Sequence, residues 1–138
     1  LPQIERAAAH GRALQKKGES LADKLPAFFL DYRPQASLLH GDLWHGNMAM
    51  CGNAPAVFDP AAYYGDRETD LAMTELFGGF PEAFYAAYRE AWPLAEGYES
   101  RKALYNLYHV LNHLNLFGSG YLRQAERMIE RLLAELRG

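Results

Sequence analysis

Cysteine is nearly missing from this chain. Cys51 is the only one in 138 residues, so no disulfide can close within it and no zinc-type cysteine spacing exists. One thiol suits a reducing compartment, and a cytoplasmic location is the expectation. An excess of positive charge is missing too: 14 Lys and Arg face 17 Asp and Glu, for a net charge of −3. That balance offers no basic face for a phosphate backbone, so nucleic acid is not an expected partner. No run nears the roughly 20 apolar residues that cross a bilayer, and no membrane partner is expected. There is no internal repeat and no low-complexity tail. What is present is globular material: 49% hydrophobic and 22% charged residues, enough for one domain with a sizeable core.

The residues able to do chemistry concentrate between Leu38 and Asp59. Asp42 and Asn47 are separated by four residues, a D-x-x-x-x-N spacing used in phosphoryl-transfer loops. Asp59 follows after two short β-type segments, Met48 to Met50 and Ala56 to Phe58, joined by the turn-like Cys51-Gly52-Asn53-Ala54-Pro55. A hairpin there brings Asn47, at its start, beside Asp59, at its end. Phosphoryl transfer needs positioning and charge neutralisation more than covalent help. Asp42 is the candidate base for an attacking hydroxyl. Asn47 and Asp59, an amide oxygen and a carboxylate, are hard donors suited to Mg2+ and through it to nucleotide phosphates. The plain alternative is a hairpin whose polar ends only cap its turns.

His40-Gly-Asp-Leu-Trp44, Gly46-Asn47, Phe58-Asp-Pro-Ala61, Tyr63-Tyr-Gly-Asp-Arg67 and Asp70-Leu-Ala-Met-Thr-Glu-Leu-Phe-Gly-Gly-Phe80 together resemble the fructosamine kinase family. Tyr105-Asn-Leu-Tyr-His109 and Leu111-Asn-His-Leu-Asn115 extend the likeness, which is strong from Leu38 to Leu122. The family belongs to the aminoglycoside phosphotransferase and protein kinase-like group. The resemblance implies ATP-dependent, Mg2+-assisted phosphorylation of ketosamines, the sugar adducts of glycated amines, with Asp42 as catalytic residue. Trp44, His45 and Tyr64 are candidate substrate contacts, the plain alternatives being a surface histidine and aromatic rings that pack on the lobe, and His40 is a candidate support of the loop. In related kinases an Asp at the place of Asp70 braces the loop's backbone, the alternative being an exposed charge at a helix start. Two positions depart from the pattern. Pro60-Ala61 stands where a protein kinase has Phe-Gly, so no mobile switch is expected, and His45 stands where the family often has a small residue.

An N-terminal lobe of that kind carries a Gly-rich strand pair, a strand Lys and a helix Glu. None is visible here. Gly78-Gly79 and Gly118-Ser119-Gly120 are close glycine clusters, but neither follows a β-type run, so both are expected to be turns or helix stops. With Leu rather than Met at position 1, the expectation is the C-terminal lobe of a larger enzyme, with the nucleotide-clamping lobe absent and the isolated chain inactive. The expected fold is α+β, predominantly α-helical, with a small catalytic β-hairpin. Its parts are a helical lead-in over 1–37, the catalytic loop and metal-binding hairpin over 38–66, and a helical subdomain over 67–138.

Along the chain, Ile4, Ala7, Ala8 and Leu14 share a helical face broken at Gly18, and Ser20 caps a second short helix delimited by Pro26. Ala36 to His40 enters the loop, and Pro60 to Gly65 is expected to be a tyrosine-rich loop. A helix capped by Asp66 or Thr69 follows, with Asp70 in its first turn. Phe80-Pro81 opens another helix, whose Phe84, Tyr85, Tyr88 and Trp92 stripe is expected to be core. A long helix over 100–117 buries Leu104, Leu107, Tyr108, Leu111 and Leu114. Its Asn106, His109, Asn112, His113 and Asn115 form a polar seam toward the active-site cleft. His109 and His113 share a face, but the Glu of a zinc-protease motif is lacking. Leu122, Ala125, Ile129, Leu132 and Leu136 mark a last amphipathic helix.

Two other functions compete. His40, Asp42, His45 and Asn47 superficially suit a metal-dependent phosphoesterase, although later ligand-bearing strands are lacking. A non-catalytic helical module that pairs with another chain is the third. Apolar surface left open around the hairpin by a missing lobe favours self-association.

Overall fold

The computed structural model describes residues 2–137. It forms two compact units. A helical unit takes the chain up to Asp31 and again from Glu99 on, and a strand unit is Tyr32–Tyr98.

In the helical unit, α1 (Pro2–Ala7) ends in a tight turn at Ala8–His10 and α2 (Arg12–Ala22) begins after Gly11. The break falls at Gly11, not at the expected Gly18. Gly11 holds a φ of 156°, open to glycine, whereas Gly18 is buried inside α2. A Cβ on Gly18 would stand 2.8 Å from Ile4 Cγ2, so this glycine lets α1 and α2 approach. Because α2 continues to Ala22, Ser20 is interior and caps nothing. Leu25–Phe29 is a short 3-10 turn with Pro26 near its start.

The last helix, α6 (Leu122–Glu135), buries Ala125, Ile129, Leu132 and Leu133, the i, i+4, i+7, i+8 stripe of an amphipathic helix, and packs against α2. In α5 (Tyr98–Phe117) the buried stripe is Leu107, Val110, Leu111 and Leu114. Tyr108 was expected there but lies 100° round the helix from Leu107 and is exposed. The polar seam is partly spent on α1. Asn115 Nδ2 donates to the Gln3 carbonyl and to Gln3 Oε1, and Gln3 Nε2 donates to Asn112 Oδ1. His113 Nδ1 lies 2.7 Å from the His109 carbonyl oxygen, a backbone contact rather than a ring pair.

In the strand unit, β1 (Ala36–Leu39) pairs antiparallel with β4 (Tyr63–Asp66), Ala36 opposite Asp66 and Leu39 opposite Tyr63. The expected loop over 60–65 is therefore half strand. Tyr63 and Tyr64 favour a pleated surface, and a partner some 25 residues away in sequence supplies the ladder. The expected hairpin is β2 (Met48–Cys51) against β3 (Ala54–Val57), with Met48 opposite Val57. Gly52 takes its turn at a φ of 63°.

Asp66 Oδ1 accepts the Glu68 N–H at the head of α3 (Glu68–Leu76), which buries Leu71, Ala72, Met73 and Thr74. Gly78 and Gly79 then turn the chain into α4 (Glu82–Ala91), with Pro81 just before the helix rather than inside it. The Phe80 N–H donates to Tyr85 Oη, Tyr85 Oη meets Thr74 Oγ1, and Thr74 Oγ1 donates to the Leu71 carbonyl, so one hydroxyl chain ties the turn to both helices. The aromatic stripe of α4 is not core. No described residue of α4 is fully buried, and Trp92 is exposed.

Candidate active site

β1 delivers the chain into His40-Gly41-Asp42. Gly41 sits at a φ of 81°, and a Cβ there would lie 2.0 Å from the Ala61 carbonyl oxygen. The returning strand needs that approach, since the Ala61 N–H donates to the His40 carbonyl at 2.8 Å. Only glycine fits position 41.

Asp70, in the first turn of α3, reaches back to this loop. One oxygen accepts the His40 N–H at 2.7 Å and the other the Gly41 N–H at 2.9 Å. Two adjacent amides in a turn have no ladder partner, and a carboxylate satisfies both with charge-assisted bonds.

His40 carries the constraint toward Asp59. Its Nδ1 accepts the Asp42 N–H at 3.3 Å, which places the ring hydrogen on Nε2, and Nε2 donates to the Phe58 carbonyl at 2.8 Å. The Phe58 N–H donates to the Asn47 carbonyl at 3.0 Å. Phe58 is thus pinned at both ends of its backbone, and Asp59 comes next.

Asn47 is buried at the foot of the hairpin. Its Nδ2 donates to the Asp42 carbonyl and to Asp42 Oδ2, both at 2.9 Å. Both partners are acceptors, so the amide can face them only with its NH2 group. Asn47 Oδ1 and Asp42 Oδ1 take no hydrogen bond among the described residues and are left for other partners. Asp59 holds a φ of 51°, unique among the described non-glycine residues. Such a backbone costs on the order of 1 kcal/mol and is the kind of strain that gathers at functional sites.

Trp44 packs. A Cβ on Gly46 would lie 2.4 Å from its ring, and the ring meets Phe77 edge-on at 5.9 Å and His45 at 5.0 Å. His45 is exposed on the turn before Asn47. Tyr64 stands on β4, 74% exposed, opposite Leu38 at 67%. His40, Asp42, Asn47 and Asp70 form one hydrogen-bonded network with Asp59 joined through Phe58. Trp44 and His45 ride on the same loop, and Tyr64 lies outside the network.

The family model described as fructosamine kinase matches residues 1–135. The chain belongs to the fructosamine kinase family. A Vibrio parahaemolyticus protein named as a probable ketoamine kinase is 50% identical over 127 residues, covering 88% of this chain and 44% of that protein. Mouse ketosamine-3-kinase is 44% identical over 121 residues, covering 88% of this chain and 39% of its own length. A Thermobifida fusca crystal structure, assigned as a fructosamine-3-kinase, superposes with a TM-score of 0.86 at 37% identity over 97% of this chain and 48% of that one. The α+β, mostly helical fold with small antiparallel sheets is therefore a fructosamine kinase fold. The chain spans less than half the length of these relatives.

This fructosamine kinase chain also holds residues that the motif reading passed over. Arg67, just before α3, is 8% exposed and donates to the Trp92 carbonyl at 3.0 Å and the Pro93 carbonyl at 2.6 Å. Its guanidinium lies 4.0 Å from the Trp92 ring centre and 5.4 Å from that of Tyr88. One signal was available: a cation at a helix start opposes the dipole and needs a reason to be there.

Proposed function

We propose that this chain is the catalytic-loop lobe of an ATP-dependent phosphotransferase that phosphorylates a sugar hydroxyl of ketosamines. The observation that carries the reading is the Asp42–Asn47 contact, which leaves one oxygen of each residue free while the other groups are fixed. Asp42 Oδ1 accepts the proton of the attacking hydroxyl as its oxygen bonds to the terminal phosphorus of ATP. The bond to the bridging oxygen breaks, and ADP leaves. Asn47 Oδ1 and the Asp59 carboxylate are the hard donors for Mg2+, which supplies charge neutralisation at the phosphates. Two protein donors would suffice to hold it, since Mg2+ is ordinarily bound by one or two protein groups together with substrate phosphates. His45 and Tyr64 are proposed contacts to the acceptor, with Trp44 holding the loop.

The rest of the enzyme, with the clamp over the nucleotide, is proposed to cover the open apolar side of the strand unit. Leu38, Met50, Val57, Phe58 and Tyr64 are all exposed in that unit, and exposed apolar surface favours association. The chain alone is proposed to be inactive, self-associating and cytoplasmic. A phosphoesterase centre fits less well: both ring nitrogens of His40 are engaged with backbone. Among the described residues no three His, Cys, Asp or Glu side chains gather as a metal cage.

The test uses the complete polypeptide with ATP, Mg2+ and a fructosamine of lysine, following phosphate transfer by 31P NMR. Transfer that vanishes in Asp42→Ala, with nucleotide binding kept, is the expected result. Asp59→Ala should lose metal–nucleotide binding too, and Asn47→Ala should lose less while shifting the Mg2+ dependence. Full transfer in Asp42→Ala removes the proposed base.

A further inference from the structure

The strand unit contains a cavity of about 250 Å³ whose lining includes Tyr32, Arg33, Gln35, Arg67, Trp92 and Pro93. No carboxylate lines it among the described residues. Arg67 is more than nine-tenths buried, yet its partners are two carbonyl oxygens and the faces of two aromatic rings. A buried guanidinium normally meets a carboxylate, because its desolvation is only partly offset by dipoles. Asp66, the acid that precedes it in the chain, accepts from the Tyr32 hydroxyl and the Glu68 N–H. A guanidinium carries five N–H donors, and the two carbonyls take one each. The others have no hydrogen bond among the described residues, and Arg67 and the exposed Arg33 line the same space.

We propose that this cavity is a binding site for a small organic oxyanion, a carboxylate or phosphate on a short carbon skeleton. Arg67 and Arg33 bind the charged end in the manner of guanidinium–oxyanion pairs. Trp92, Pro93 and Leu94 give the skeleton an apolar wall, and Gln35 offers a neutral hydrogen bond. The volume is below that of sites for drug-sized ligands, which limits the occupant to a molecule of about the size of a dicarboxylic acid or a sugar phosphate. The site is distinct from the loop of Asp42, Asn47 and Asp59 and does not depend on the phosphotransferase reading.

The chain has two tryptophans, Trp44 and Trp92. Each gives one indole N–H signal in a 1H–15N spectrum, assigned with Trp92→Phe. Titration with succinate and with inorganic phosphate, at ionic strength held constant by chloride, should move the Trp92 signal saturably and leave that of Trp44 in place. Tighter succinate binding identifies a carboxylate ligand, and tighter phosphate binding a phosphate ester. Arg33→Gln, at an exposed position that spares the fold, should weaken binding at least about threefold. Arg67→Gln should abolish it, and its spectrum reports in the same experiment whether the fold survives. A Trp92 signal that neither oxyanion moves more than chloride does, or an unchanged affinity in Arg33→Gln, overturns the proposal and leaves Arg67 as a strut for the end of α4.

Discussion

In the helical unit, Leu14, Leu21, Leu114, Ile129 and Leu132 are all fully buried, and exposed pairs such as Lys17–Glu130 lie on its surface. In the strand unit the described fully buried apolar set is smaller, and named polar bonds replace it. Asp70 holds two loop amides, Asn47 holds Asp42, His40 holds Phe58, and Arg67 holds the end of α4. Apolar burial is non-directional and tolerates small shifts. Hydrogen bonds fix distance and angle. The second kind suits the proposed role of Asp42, which asks for a carboxylate held at a fixed distance from a hydroxyl.

The comparison breaks most visibly at Asp42. Asp42→Ala in the complete enzyme should lower kcat about 10³-fold with a stability loss of only about 0.5–1.5 kcal/mol, because the one side-chain bond it removes is that from Asn47 Nδ2, which keeps its bond to the Asp42 carbonyl. Leu132→Ala, fully buried on α6, should do the reverse and cost about 2–5 kcal/mol of stability, read by urea unfolding. A Leu132→Ala protein that loses kcat while keeping its unfolding midpoint would erase the distinction. Asp70→Asn sharpens it. The amide keeps one acceptor for the His40 or Gly41 N–H and loses the charge, so stability should fall by about 1–3 kcal/mol. kcat should fall together with it, since the loop loosens.

The smallest effect belongs to the helical surface. Glu130's hydrogen bond to Lys17, with its charge, raises the lysine's pKa above the ordinary 10.5. The folded state therefore favours the charged form. The pair's contribution is fully present below the ordinary lysine pKa and is lost as pH rises through the raised folded value. Lys17→Met should accordingly change Tm slightly at neutral pH and not at all in strong alkali. A difference that grows with alkali would contradict the assignment.

How much could be read from the chain varied with the range of the interaction. Helices α3 to α6 and the Met48–Val57 hairpin were legible from spacing and turn residues, and the same spacing pointed to Asp42 and Asn47, whose side chains meet. Gly18 and Gly11 were exchanged because a glycine inside a helical pattern reads as a break. Whether it breaks depends on what its missing Cβ would touch, here Ile4. Strand β4 was read as loop because its partner, β1, is remote in sequence. Tyr108 was read as buried although the helical period favours Val110. Arg67 was quoted in a motif but given no role, because its partners are carbonyls and rings rather than a motif acid.

The sequence by itself determined the family, the mostly helical α+β class and the identities of the loop residues, since local periodicity, turn chemistry and motif spacing are written in adjacent positions. Only the tertiary structure decided which oxygen of Asp42 is free, that Asn47 turns its amide hydrogens toward it, and that Asp59 follows a doubly pinned Phe58. It alone decided that a buried Arg67 faces a cavity without an acid. The reason is physical. Hydrogen bonds and buried charge depend on atoms that lie far apart along the chain, and no pattern of neighbours encodes where those atoms meet.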